Sequence, residues 1–140
     1  MMTTRYVLHT TAELKNLSQI RDFIEAALLG LGLPAESIHN IQLAVDEVAT
    51  NIMVHGYHGQ GGPLEIEVKR PERDLMVCLR DEAFLFDPTT ISPPDLTLPL
   101  AQRPIGGLGI HLVRQTMDEI HHQITPTGGN QLTLIKHNPS

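Results

Sequence analysis

Glu47 and Asn51 stand four residues apart in Ile41-Gln42-Leu43-Ala44-Val45-Asp46-Glu47-Val48-Ala49-Thr50-Asn51-Ile52-Met53-Val54-His55. Ile41, Val45, Val48 and Ile52 recur at helical spacing, which predicts a helix with an apolar spine. At about 100° per residue Asn51 falls at the edge of that spine with Glu47 beside it. Asp46 is expected on the far side, toward solvent. A carboxylate can accept a proton, and an amide oxygen can ligate a hard cation. An amphipathic helix with ordinary polar flanks would show the same pattern, so the pair alone does not decide between the two.

Two further stretches could do chemistry. Gly106-Gly107-Leu108-Gly109 precedes a helical pattern. Glycines let a backbone approach an anion closely, and the positive end of a helix dipole favours phosphate. A flexible connection would also be rich in glycine, and neither a Walker A loop nor GxGxxG after a strand is present. Asp81 ends an apolar strand pattern, where a carboxylate is costly unless something pairs with it. It could accept a hydrogen bond from an exocyclic amine such as that of adenine, or simply form a turn.

The elements that must position these residues read as follows. Tyr6 to Thr10 is β-prone, and Ala12 to Leu31 carries apolar residues near helical spacing until Gly30, Gly32 and Pro34 end it. The Glu47–Asn51 helix starts near 35–38 and stops around His55-Gly56, before a glycine-rich loop. Leu64, Ile66 and Val68 alternate with Glu65, Glu67 and Lys69, which predicts a strand with one buried and one wet face. Leu75, Val77 and Leu79 repeat the pattern, with Met76 and Cys78 on the opposite face, as if that face were partly covered. From Phe86 to Ile105 no periodicity is found and five prolines occur; a loop that long in a compact domain is usually functional or disordered. Leu108, Leu112, Gln115, Met117 and Ile120 then predict a helix. Two strands follow, about Ile120 to Thr125 and Gln131 to His137, joined by Thr127-Gly128-Gly129-Asn130. The order predicts an α+β fold, a two-layer sandwich with helices on one face of a mixed, mostly antiparallel sheet.

With 140 residues, 1–140 is expected to form one domain. A net charge of -6 argues against a nucleic-acid surface, which needs clustered Lys and Arg. A single cysteine, Cys78, fits a reducing cytoplasm, and neither a signal peptide nor a membrane span is expected. Of the eight histidines, His55 and His58, or His121 and His122, could offer metal ligands, but no recognisable zinc spacing completes either pair.

Taken together, the Glu-x-x-x-Asn helix, the strand-end Asp, the long loop and the Gly-x-Gly helix start resemble the GHKL family of ATP-binding folds. Within it the chain looks like the small bacterial anti-sigma factor serine/threonine kinases. The matching pieces are Leu43 to Asn51 with His55-Gly56-Tyr57, Arg80-Asp81 with Phe86-Asp87-Pro88, and Gly106 to Val113 with Met117-Asp118-Glu119-Ile120. The resemblance covers nearly the whole chain. It implies that Asn51 holds Mg²⁺ against the phosphates of ATP or ADP, that Glu47 is the general base, and that Asp81 binds the adenine amine. It further implies phosphate contacts from Gly107 and Gly109 within Gly106, Gly107, Leu108, Gly109 and Ile110, a place near the nucleotide for His55, and an adenine-side contact from Thr133. The segment 86–105 is then a nucleotide lid. Ala83 departs from the pattern: the family usually has glycine there, where the backbone passes close to the base.

The function so implied is a cytoplasmic ATP-dependent serine/threonine protein kinase that phosphorylates a small antagonist protein and holds a sigma factor when the antagonist is unavailable; homodimers are usual among look-alikes. A binding module of the same fold, with nucleotide as structural ligand or absent, is the alternative. The catalytic part of a histidine kinase is a third reading, in which a partner supplies the phosphoacceptor helices.

Overall fold

A computed structural model describes residues 4–83 and 113–139. The chain begins with β1 (Arg5–Thr11), followed by a short 3₁₀ turn (Leu14–Asn16), α1 (Leu17–Gly30) and α2 (Ala35–Asn51), which runs on into a π-turn (Ile52–Gly56). β2 (Pro63–Lys69) and β3 (Leu75–Asp81) come next, and β4 (Glu119–Ile124) and β5 (Asn130–Lys136) complete the described elements. The sheet order is β1-β2-β3-β5-β4, and all four ladders are antiparallel. This is the expected α+β sandwich. The segment expected to form a lid, 86–105, and the glycine-led helix start, Gly106 to Ile110, lie outside the described residues.

Each helix turns one apolar stripe to the sheet. On α1 these are Ile20, Ile24, Ala27 and Leu28; on α2 they include Ile41, Val45 and Val48. They meet Leu64, Ile66, Val68, Leu75, Val77, Leu79, Leu132 and Leu134 in one cluster. Burying each large aliphatic side chain contributes about 1.5–3 kcal/mol, which makes this layer the main source of stability. α1 stops at Gly32, whose φ of +83° suits glycine. There the Leu33 amide donates to the Leu28 carbonyl and the Gly32 amide to that of Leu29, so two orphan carbonyls are satisfied. Pro34, extended, then starts α2.

Three sequence expectations are revised or settled here. Asp46 does not face solvent: it accepts from Arg21 Nε of α1 at 2.6 Å, because α1 lies against that flank of α2. Ile120, which fitted both the helical spacing and the start of the expected strand Ile120 to Thr125, is a β4 residue paired with Leu134, and the helical residues described before it are 113–116. The face of β2 expected to be wet is not uniformly so. Glu67 is 5% exposed, held by Arg80 at 2.9 Å and Arg5 at 3.3 Å, while Arg80 also reaches Glu65 and Gln131. Beside this network Cys78 is buried, 3.5 Å from Thr133 Oγ1. The sheet's own side chains therefore cover much of its helix-free face.

The opposite end of the sheet from Asp81 is tied by His137. Its ring meets Asp74 at 3.2 Å and Glu119 at 2.7 Å, and its backbone amide donates to Asp118. The hydrogen bond to Asp74 raises His137 above its ordinary 6.5; the same bond holds Asp74 below 3.8. Glu119 lies below 4.5, chiefly through His121. Stability from a raised histidine is fully present below 6.5 and is lost as pH rises through its folded value. Stability from the lowered acids is present above 3.8 and 4.5 and is lost as pH falls through their folded values. We therefore expect His137→Gln to lose most stability relative to the unaltered protein between pH 4.5 and 6.5, with the gap closing at higher pH. Urea midpoints measured across that range check this, and a pH-independent gap would contradict it. The groups are exposed, so added salt should shrink the difference.

Candidate functional site

The C-terminal half of α2 carries the first pair. Glu47 is half-buried and makes no hydrogen bond or ion pair among the described residues. One turn later Asn51 is 5% exposed, and its Nδ2 is buried with no hydrogen-bond partner among the described residues. Buried amides are nearly always paired, because an unsatisfied one costs about 1–3 kcal/mol. A ligand oxygen that accepts from Nδ2 offsets that cost. Immediately afterwards the chain winds wider: the Tyr57 amide donates to the Ile52 carbonyl, five residues back. Such π-turns are often found at functional sites, and His55 lies half-buried on this one.

The π-turn leads directly to the end of β3. Tyr57 Oη accepts from the Glu82 amide at 2.7 Å and donates to the Pro63 carbonyl at 2.6 Å, fastening the end of α2 to both strands. A Cβ placed on Gly56 would come within 3.1 Å of the Ala83 methyl, so these two residues pack face to face. The methyl that departs from the family pattern is thus directed at the π-turn.

Asp81 is 5% exposed on the helix-facing side of β3, in line with Leu75, Val77 and Leu79. Its Oδ1 accepts from the Ala83 amide at 2.9 Å and from Asn130 Nδ2 at 2.9 Å; Oδ2 takes no hydrogen bond from the described residues. Burial pushes the carboxyl above its ordinary 3.8, against the two hydrogen bonds; nearby Glu82 raises it further and His122 lowers it. Behind it Gly129 has no room for a side chain, since a Cβ there would collide with the Asp81 carbonyl. That close approach brings β5 against the end of β3.

Asn130 was missed as a site residue: its sequence context reads as a hairpin turn. Period-two alternation is the signal that finds it, because Asn130, Leu132 and Leu134 share one face of β5. The same alternation places Thr133 on the other face. It pairs with Cys78 on the helix-free face, away from Asp81. His121 and His122 also point to opposite faces of β4, the first to Glu119 and the second to Asn130. They cannot share a metal, and no group of three or more His, Cys, Asp or Glu among the described residues could hold one. The structure thus brings Asp81, Ala83 and the π-turn carrying His55 together at the C-terminal end of α2, where Glu47 and Asn51 lie. Gly106, Gly107, Leu108, Gly109 and Ile110 fall outside the described residues.

Residues 10–136 match the family of histidine kinase-like ATPase domains. The chain belongs to that family. Two relatives of this histidine kinase-like ATPase domain are the serine-protein kinases RsbW of Bacillus cereus (strain AH820) and Bacillus anthracis. Each is 28% identical over 111 residues, which is 76% of this chain and 68% of the relative. Among solved structures, the RsbU and RsbW domains of Rv1364c from Mycobacterium tuberculosis superpose with a TM-score of 0.62 at 16% identity. That match covers 94% of this chain and 32% of the other, so this chain spans about a third of it, and the likeness concerns the fold. No helix among the described residues is long and apolar enough to cross a membrane.

Proposed function

We propose that this ATPase domain binds ATP and ADP with Mg²⁺ and transfers the γ-phosphoryl group to a serine or threonine of a small antagonist protein. In this reading it is an anti-sigma regulatory factor that holds a sigma factor when the antagonist is unavailable. The observation that carries the proposal is the uncommitted polar pair: the Asn51 amide, buried and unpartnered at Nδ2 among the described residues, and the Asp81 carboxylate with only Oδ1 engaged. The serine-kinase relatives support the reaction class. The sigma factor and the antagonist rest on the family resemblance.

The residues fit the implied ligands. Mg²⁺ takes oxygen ligands and keeps several waters, so Asn51 Oδ1 would be the protein's share, while the orphaned Nδ2 is a donor suited to a phosphate oxygen beside it. When bound, the ion neutralises phosphate charge, which is most of what phosphoryl transfer requires besides alignment. Asp81 Oδ2 is an acceptor suited to the adenine amine. Glu47, one turn from Asn51 and unpaired among the described residues, is available to take the proton of the attacking hydroxyl. A phosphorylated antagonist gains about -1.5 to -2 charges, which a chain of net charge -6 repels, so release follows transfer.

The test is titration of ATP and ADP with and without Mg²⁺, followed by γ-labelled ATP with a candidate antagonist. Asn51→Ala should lose the magnesium-dependent part of the affinity, on the order of tenfold or more (about 1.4 kcal/mol per factor of ten). An unchanged magnesium dependence would remove Asn51 from the metal site. If the unaltered protein takes up no adenine nucleotide, what stands is a partner-binding module of the same fold.

A further inference from the structure

β4 is the sheet's edge strand, and its helix-facing positions are Ile120, His122 and Ile124. A histidine between two isoleucines on that face needs a reason, and its hydrogen bonding supplies one. His122 Nε2 lies 2.8 Å from Asn130 Oδ1, and Asn130 Nδ2 lies 2.9 Å from Asp81 Oδ1. The three side chains form one line from the sheet edge to the carboxylate.

The direction of the line follows from the acid. An ionised carboxylate only accepts, so the Asn130 amide must present its NH₂ to Asp81. Its oxygen then faces His122, and the ring must donate from Nε2. A primary amide can turn over and exchange oxygen for nitrogen. Turned over, Asn130 would set its oxygen against the carboxylate and the Ala83 carbonyl, to which Nδ2 now donates at 2.9 and 3.4 Å, and the ring would have to move its proton from Nε2 to Nδ1 to meet the NH₂. The His122 N–H on the amide oxygen adds to the two acceptors on its NH₂ in holding Asn130 one way round, and the amide holds Asp81 by Oδ1, together with the Ala83 amide. Oδ2 is left as the acceptor with a fixed direction.

We propose that His122 is a positioning residue for base selection: acting through Asn130, it orients Asp81 so that the site prefers a purine that donates an exocyclic N–H. The inference rests on the adenine-nucleotide reading above and adds to it the device that sets the preference. His122 need not touch the nucleotide.

The experiment compares ADP with the diphosphate of purine riboside, which lacks the 6-amino group, by calorimetric titration with Mg²⁺. The unaltered protein should bind ADP at least tenfold more tightly than the analogue. In His122→Leu and His122→Phe that ratio should fall several-fold, with the loss on ADP and little change for the analogue. His122→Gln keeps an N–H donor on a side chain of similar reach and should restore much of the ratio. An unchanged ratio in the apolar variants overturns the proposal, as does an equal loss for both nucleotides, which marks a structural role. If circular dichroism shows that neither apolar variant folds while His122→Gln does, the residue is likewise structural and the proposal falls. Failure of the underlying reading looks different: the unaltered protein then binds neither nucleotide.

Discussion

Glu47→Gln should bind ATP and ADP as the unaltered protein does and transfer phosphate about 10²–10⁴-fold more slowly. Glutamine keeps the size of the side chain and its place on α2, and removes only the ability to take a proton. Because Glu47 makes no hydrogen bond or ion pair among the described residues, its replacement breaks no described contact. The defect should therefore sit in turnover, with affinity and melting temperature little changed. Calorimetric titration beside a γ-labelled transfer assay separates the two. Loss of binding in step with transfer would assign Glu47 to folding.

Asp81→Asn should do the reverse, weakening nucleotide binding while leaving the unliganded protein as stable or more so. The new amide can still accept from Asn130 and Ala83 through its oxygen, which places its NH₂ where Oδ2 was. There an amine donor meets another donor. Losing a hydrogen bond to a charged group costs about 1.5–3 kcal/mol, a factor of roughly 10–100 in affinity. The stability half follows from titration. Burial raises the Asp81 carboxyl above 3.8 in the folded protein, so the folded state binds a proton more readily than the unfolded chain. Stability then falls as pH rises from 3.8 through the folded value, and at neutral pH the ionised side chain opposes folding. Asparagine carries no such cost. A thermal melt without ligand, paired with an ADP titration, reads both halves, and a lower melting temperature with unchanged affinity would place Asp81 among purely structural residues.

Much of this could be read from residue order. The spine of α2 and the faces of β2 and β3 follow from periods of 3.6 and 2, and Asn51 and Asp81 fall where those periods put them. The rest is decided by a second element. Asp46 sits on a flank that one helix's pattern leaves open, and Arg21, 25 residues earlier, turns it inward. Ile120 stood both in the helical spacing and at the start of the expected strand, and pairing with Leu134 keeps the strand. Glu67 belongs to a polar face, but cross-strand arginines shield it. Thr133 was chosen by likeness to a family position; counting alternate residues back from Leu134 leads to Asn130 on the Asp81 face. The partner of His122 became visible only once β4 and β5 were paired.

The packing of Gly56 against Ala83 bears on how the chain's one clear departure is understood. Between the wide turn and the strand end there is space for a single methyl group, and it is filled from the strand side. A second methyl, on Gly56, would sit 3.1 Å from the first and would require the two segments to move apart by a few tenths of an ångström. The two positions therefore share one small space, and the methyl at 83 is turned into it, toward the wide turn.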